Sequence, residues 1–250
     1  MKNILFLLSS LLICLSAQAQ DKAPANIFVY TSYFSCDASM LSSANSLFKS
    51  ELSPIYQQAV KDKKILGWGW MSHHTGGYWN KALYHIAPSV SGLLNAQNIM
   101  NELGEKNKSD RDNLFNRMCD RHEDYIWKVI AGNKGNKRGK VGLSMYMECD
   151  IASEKHADDI VKSVFAPMLN QVVDKGQFTS WGWLEHIIGG KYRRLATMTA
   201  ENYDDLIKTR AKLNEKMFGK DAPKEALEFT KICGSHRDYL WDLTIESTQN

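Results

Sequence analysis

The residues able to do chemistry in this chain come in matched pairs. Cys119-x-x-His122 and Cys233-x-x-His236 have ligand spacing, and with Cys36 or Cys149 each could form a three-ligand set whose open fourth position is that of a catalytic zinc. The same four cysteines could instead form two disulfides, with three possible connectivities. His73 and His186 are candidate bases, because a neutral imidazole accepts a proton near pH 7. The alternative is a hydrogen-bonded residue at a strand end. Tyr33 and Tyr146 are the candidate phenols beside them. Trp68-Gly69-Trp70 and Trp181-Gly182-Trp183 each place two indoles on one face of a strand. They line an aromatic pocket if that face is interior and form core if it lies under helices, where Met71, Leu184 and the histidines would take the interior instead. Lys81, Arg194 and His85 complete the candidate ligand set. The two cations would hold an acidic ligand or an enolate if enclosed, and are solvated charge if on an edge.

The pairing of these residues is a repeat. Cys36 matches Cys149 (149 − 36 = 113), and the same offset carries Pro54 onto Pro167, Trp68 onto Trp181, His73 onto His186 and Gly76-Gly77 onto Gly189-Gly190. Cys119, His122, Asp124, Tyr125 and Trp127 match Cys233, His236, Asp238, Tyr239 and Trp241 at 233 − 119 = 114. Identity held in one register over such a span marks a duplicated unit. The copies differ where chemistry could differ: His74 faces Ile187, His85 faces Met198, and Ser35 faces Glu148. Such drift is compatible with one asymmetric pocket, and equally with none.

Each copy predicts the same elements. A first strand runs over 27–35 and 141–148, with Phe28, Tyr30 and Phe34 or Leu143, Met145 and Met147 on one face. A helix follows through Leu47, Phe48, Leu52 and Ile55 or Ile160, Val161, Phe165 and Met168, with Pro54 or Pro167 expected to break or kink it. Two strands flank the Gly-Gly pair as a hairpin, 65–73 with 78–86 and 179–186 with 191–199. A second helix, a short helix ending at Cys119 or Cys233, and a strand from Tyr125 or Tyr239 complete a βαββαβ order. His122 and Asp124, like His236 and Asp238, could position the turn into that last strand.

This order is the split βαβ, ferredoxin-like pattern. Two tandem copies with Gly-Gly hairpins resemble the dimeric α+β barrel superfamily, over about residues 26 to 248. The resemblance implies an α+β fold in which two ferredoxin-like modules, 25–130 and 140–250, form a pseudo-dimeric barrel within one chain, joined by a linker over 131–139. It also implies that the first and last strands of a copy are neighbours, which pairs Cys36 with Cys119 and Cys149 with Cys233. The superfamily includes cofactor-independent monooxygenases, isomerases and haem-dependent enzymes, and selects none of them here. The reading that follows is a protein that binds a small molecule, or a cofactor-independent enzyme, using the space between two sheets. The competing class is a non-catalytic structural or interaction protein with an aromatic core.

Lys2, the apolar stretch Ile4 to Leu15 and Ala17-Gln18-Ala19 read as a signal peptide over 1–19, with the exported chain starting at Gln20 or Asp21. The stretch is shorter than the ~18 to 20 residues that span a bilayer. Cys14 follows Ile13, too large for a lipoprotein signal. An exported, periplasmic or extracellular location permits disulfides. Loss of Lys2 takes the net charge of +3 to 3 − 1 = +2, and the cations are scattered except over 134–140, which argues against a nucleic-acid partner. There is no phosphate loop, nucleophile elbow, HExxH or CxxCH, and no cofactor is expected. The oligomeric state stays open, and a monomer is compatible with the pattern.

Overall fold

The computed structural model describes residues 26–106, 110–133 and 138–248. The signal-peptide expectation at 1–19 lies outside the described residues, as does the middle of the expected linker. The described residues form eight strands: β1 (Phe28–Ser35), β2 (Gly67–Gly76), β3 (Lys81–Ala87), β4 (Arg121–Gly132), β5 (Val141–Glu148), β6 (Ser180–Ile188), β7 (Arg194–Ala200) and β8 (Ser235–Thr248). They pair antiparallel around a ring in the order β1-β3-β2-β8-β5-β7-β6-β4. Each half has its last strand beside its first, and the halves join where β2 pairs β8 and β4 pairs β6.

Alternation along each strand separates two apolar faces. On the outside, Phe34, Trp68, Trp70 and Leu83 pack with Phe48 and Phe115 of the first half's helices, while Leu143, Met147, Trp181 and Trp183 pack with Phe165, Leu213 and Phe229 of the second half's. Inside, Tyr33, Tyr84, Trp127, Tyr146 and Trp241 meet across the ring. The Trp-Gly-Trp strands are buried on both faces in this way, with Trp68 and Trp70 or Trp181 and Trp183 against the helices and Met71 or Leu184 turned inward.

The helices are α1 (Leu41–Leu47), α2 (Ser53–Lys61), α3 (Val90–Lys106) and α4 (Asp110–Met118), then α5 (Glu154–Ile160), α6 (Ala166–Asp174), α7 (Tyr203–Phe218) and α8 (Lys224–Ile232). The expected break at Pro54 and Pro167 is replaced by a different device. A five-residue π turn, Phe48–Leu52 or Val161–Phe165, joins α1 to α2 and α5 to α6, and each proline falls in the first turn of the helix that follows. Just before each proline, Ser53 N and Ala166 N donate five residues back to Phe48 O and Val161 O, and this wider turn accommodates the proline so that the helical path continues. β4 and β8 begin at Arg121 and Ser235, before the expected Tyr125 and Tyr239, and β4 runs on through Ala131 and Gly132, which the linker was expected to include.

The disulfides are Cys36–Cys119 and Cys149–Cys233. Each closes the gap between the end of one half's first strand and the start of its last, where Asp37 N donates to Met118 O at 2.7 Å and Asp150 N donates to Ile232 O at 2.9 Å. The Gly-Gly pairs have two tasks. Gly76 and Gly189 hold φ of +133° and +144°, open to residues without a Cβ. Gly77 and Gly190 leave room for the phenol ends of Tyr239 and Tyr125, which come from the opposite half. The glycines thus form a reciprocal clasp between the copies. Among the described residues no helix is long and apolar enough to cross a membrane.

Candidate functional site

One end of the ring interior is filled. Trp79 stacks on Tyr33 at 4.3 Å and on Tyr239 at 5.2 Å, and its edge meets Tyr146 at 5.1 Å and Tyr192 at 5.9 Å. The other end is open. A cavity of about 440 Å3 runs from a mouth at Ile27, Leu66, Asn133, Arg138 and Thr248 down to Met71, Leu184, Trp127, Tyr33 and Tyr146. Aliphatic Val29, Ile86, Val129 and Leu195 line its wall, with hydroxyls from Thr31, Ser144 and Thr197.

The cavity is asymmetric because the two copies have diverged at one interior position. Tyr84 and Thr197 are equivalent (197 − 84 = 113). Tyr84 lies across Gly69, where an added Cβ would sit 2.5 Å from the ring. Thr197 stands over Gly182 and leaves the volume of the missing ring to the cavity. Tyr84 is held in place: its hydroxyl donates to Glu246 Oε1 at 2.6 Å and accepts from Arg138 Nη1 at 2.9 Å. Burial raises the Tyr84 hydroxyl well above its ordinary value. Burial also pushes Tyr33 up to about 12 and Tyr146 well above its usual value, so both phenols stay protonated donors at the floor.

The structure brings two of the four candidate catalytic residues to the cavity. Tyr33 and Tyr146 face each other edge-on at 5.3 Å. His73 and His186 also face the interior, opposite Trp241 and Trp127 in the strand register, but at its filled end outside the cavity: His73 has its ring 6.1 Å from both Tyr239 and Trp241, and His186 lies 6.0 Å from Tyr125 and Trp127. Arg193 Nη1 donates to His186 Nδ1 at 2.8 Å, which places that ring's proton on Nε2. Both imidazoles are shifted down, first by burial, then by His74 for His73 and by Arg193 for His186.

The remaining candidates face the helices. Trp70 Nε1 donates to Asn45 Oδ1 at 2.9 Å, Trp181 Nε1 to Asn170 Oδ1 at 2.8 Å and Trp183 Nε1 to Asp158 Oδ1 at 2.8 Å. Trp68 is buried beside Tyr56 and Phe48. Of the four, Trp181 alone also touches the cavity edge. His85 is buried against α3, its ring 5.1 Å from Tyr30, and burial pushes it down to about 4. Lys81 is buried with Nζ 3.0 Å from Ser72 Oγ, and burial lowers it to about 8. Its counterpart Arg194 is fully paired, donating to Asp158 from Nε and Nη2, each at 2.7 Å. These cations are therefore neither edge charges nor ligands of the cavity.

The alternative metal sets Cys36, Cys119, His122 and Cys149, Cys233, His236 have no thiolate to offer, since each pair of sulfurs is bonded together. His122 and His236 lie within the last strands, 3.2 Å and 3.5 Å from Asp124 and Asp238. Sequence reasoning passed over Tyr84, Thr197, Arg138 and Glu246. The register would have shown the Tyr84 to Thr197 difference, but Arg138 falls in the expected linker and no local pattern brings it to Glu246.

No protein-family model matches the sequence, and no curated protein does. Among solved structures, the chain is similar to a "putative monooxygenase" of Fusobacterium nucleatum subsp. nucleatum, with a TM-score of 0.64 and 7% identity over 91% of this chain and 97% of that one. It is also similar to a "putative monooxygenase" of Lactobacillus acidophilus, with a TM-score of 0.62 and 9% identity over 90% and 97%. An anthrone oxidase-like protein aligns with a TM-score of 0.53 and 9% identity over 90% and 93%. At these identities the likeness establishes the fold and carries no activity.

Proposed function

We infer that this chain, which has the fold of the dimeric α+β barrel superfamily, is an exported protein that binds a small, largely apolar molecule in the open half of its barrel. The observation that carries this is the one-sided cavity of about 440 Å3, created where Thr197 replaces the ring that Tyr84 supplies in the other copy. That volume lies within the usual range of ligand sites, and the wall is of the usual kind, apolar with a few polar groups. The two halves act as ferredoxin-like modules in a pseudo-dimer, and divergence of one interior position suffices to give it a single site. Export through the 1–19 signal is supported by the two disulfides.

A cofactor-independent enzyme is the catalytic form of the same reading. Two structural neighbours carry the word monooxygenase, and Tyr33 and Tyr146 are the protonated phenols that a molecule at the floor would touch. The filled half of the interior favours the competing reading, a non-catalytic structural or interaction protein whose aromatics are core.

The test is a thermal-shift screen of small aromatic and alicyclic molecules on the exported protein, repeated on Thr197→Tyr. A ligand at about 100 times its Kd adds roughly 2.7 kcal/mol, a rise of several degrees in Tm for a chain of this size. Hits should stabilise the natural protein and lose their effect in the variant. Hits indifferent to the substitution would place binding elsewhere, and a screen with none would favour the structural reading.

A further inference from the structure

Among the described residues, Arg138 is the one charged side chain on the cavity wall. Its charge is met within the protein. Nη1 lies 2.9 Å from Glu246 Oε1, and the guanidinium carbon stands 5.4 Å from the centre of the Tyr84 ring. The Tyr84 hydroxyl bridges the pair, donating to Glu246 and accepting from Arg138. The side chains of Arg138 and Glu246 are only 30% and 19% exposed, so screening by water is weak. This arrangement exists once: the counterpart of Glu246 is Gly132 (246 − 114 = 132), and that of Tyr84 is Thr197.

An ionised ligand entering this cavity would shed its hydration, a cost recovered only against an unpaired opposite charge. Here the one cation among the described wall residues is already paired with Glu246. A hydroxyl or carbonyl, in contrast, finds the hydroxyls of Thr31, Ser144 and Thr197 without displacing an ion pair.

We propose that Glu246 is the charge-selectivity residue of the cavity: by holding Arg138 in a neutral pair braced by Tyr84, it restricts the site to uncharged molecules bearing a hydroxyl or carbonyl and excludes their carboxylate analogues. This rests on the reading that the cavity binds a small molecule. Removal of the carboxylate, with its shape kept, frees Arg138 for an anion and reverses the preference.

The experiment is titration calorimetry of the exported protein and of Glu246→Gln with matched pairs of bicyclic aromatic methyl esters and their carboxylates. The natural protein should bind the ester at least about tenfold more tightly, the difference expected of one uncompensated charge-assisted contact. Glu246→Gln should leave the ester within about threefold and strengthen the carboxylate at least about tenfold, a gain that Arg138→Gln in the same chain abolishes. Arg138→Gln alone, which leaves Glu246 unpaired, should weaken the carboxylate further and spare the ester. Esters that bind without discrimination from carboxylates, or a Glu246→Gln variant with no gain for the anion, overturn the selectivity role and leave the cavity reading intact. Failure of every pair to bind the natural protein overturns both.

Discussion

Gly69 and Gly182 occupy equivalent positions, and substituting alanine at each should have different consequences. Neither has a positive φ, so alanine is conformationally allowed and removes unfolded-state entropy worth about 0.4–1 kcal/mol. The outcome is then decided by what the methyl meets. At Gly69 it would lie 2.5 Å from Tyr84 Cε1 and 2.6 Å from Cζ and Oη. The ring must leave Glu246 and Arg138, forfeiting two hydrogen bonds to charged groups at about 1.5–3 kcal/mol each, part of which water at the mouth repays. At Gly182 it meets Thr197 Oγ1 at 2.9 Å and Leu184 Cδ1 at 3.4 Å, small side chains beside open volume that can shift by tenths of an ångström. Gly69→Ala should therefore lose about 2–3 kcal/mol net, a fall in Tm of roughly 5–10 °C at 2–4 °C per kcal/mol, whereas Gly182→Ala should stay within about 1 kcal/mol of the natural protein. Urea and thermal unfolding followed by near-ultraviolet circular dichroism, which reports the interior aromatics, would measure both. Equal losses at the two positions, or an unperturbed Gly69→Ala, would refute the claim that Tyr84 is clamped across Gly69.

Three further outcomes are expected. Asp158→Asn leaves Arg194 buried with only Glu154 as an ionic partner, at 3.1 Å, and should cost about 3 kcal/mol in urea unfolding; adding Arg194→Lys recreates the Asn45 and Lys81 combination of the first copy and should recover at least half. His85 is buried and neutral, its value down at about 4 against 6.5 in the unfolded chain. Because the unfolded state binds the proton more readily, its contribution is complete above pH 6.5 and is lost as pH falls from there to about 4, a span worth roughly 3 kcal/mol. His85→Phe should flatten that part of the stability–pH curve, and an unchanged slope would remove the histidine from the account. Reduction of Cys36–Cys119 or Cys149–Cys233, which join residues 83 and 84 apart, should each cost about 4.5 kcal/mol by loop entropy; urea midpoints unmoved by reductant would contradict that.

Much of the architecture was legible because it was written twice. The offsets of 113 and 114 residues, the strand periodicities and the Gly-Gly hairpins are local or pairwise properties of the chain, and with the ferredoxin-like order they put Cys36 beside Cys119 and Cys149 beside Cys233. Whether the indoles of Trp-Gly-Trp faced in or out was not legible, because these strands are apolar on both faces and a period of two cannot name the interior. The ring decided it: Gly69 and Gly182 point inward, and the space beside them is occupied by Tyr84 in one copy and left open by Thr197 in the other. His73 and His186 had the residue type and the repetition of catalytic groups, and pairing of β2 with β8 and of β4 with β6 does turn them inward beside Trp241 and Trp127, but in the filled end of the barrel, away from the cavity. Arg138 and Glu246 are 108 residues apart (246 − 138) and follow no repeat; only closure of the barrel brings them onto one phenol. Sequence by itself determined the elements and their duplication, which arise from local propensity and apolar patterning. Tertiary structure decided the site, because a cavity is a volume left between strands distant in the chain, and no single strand encodes what it leaves empty.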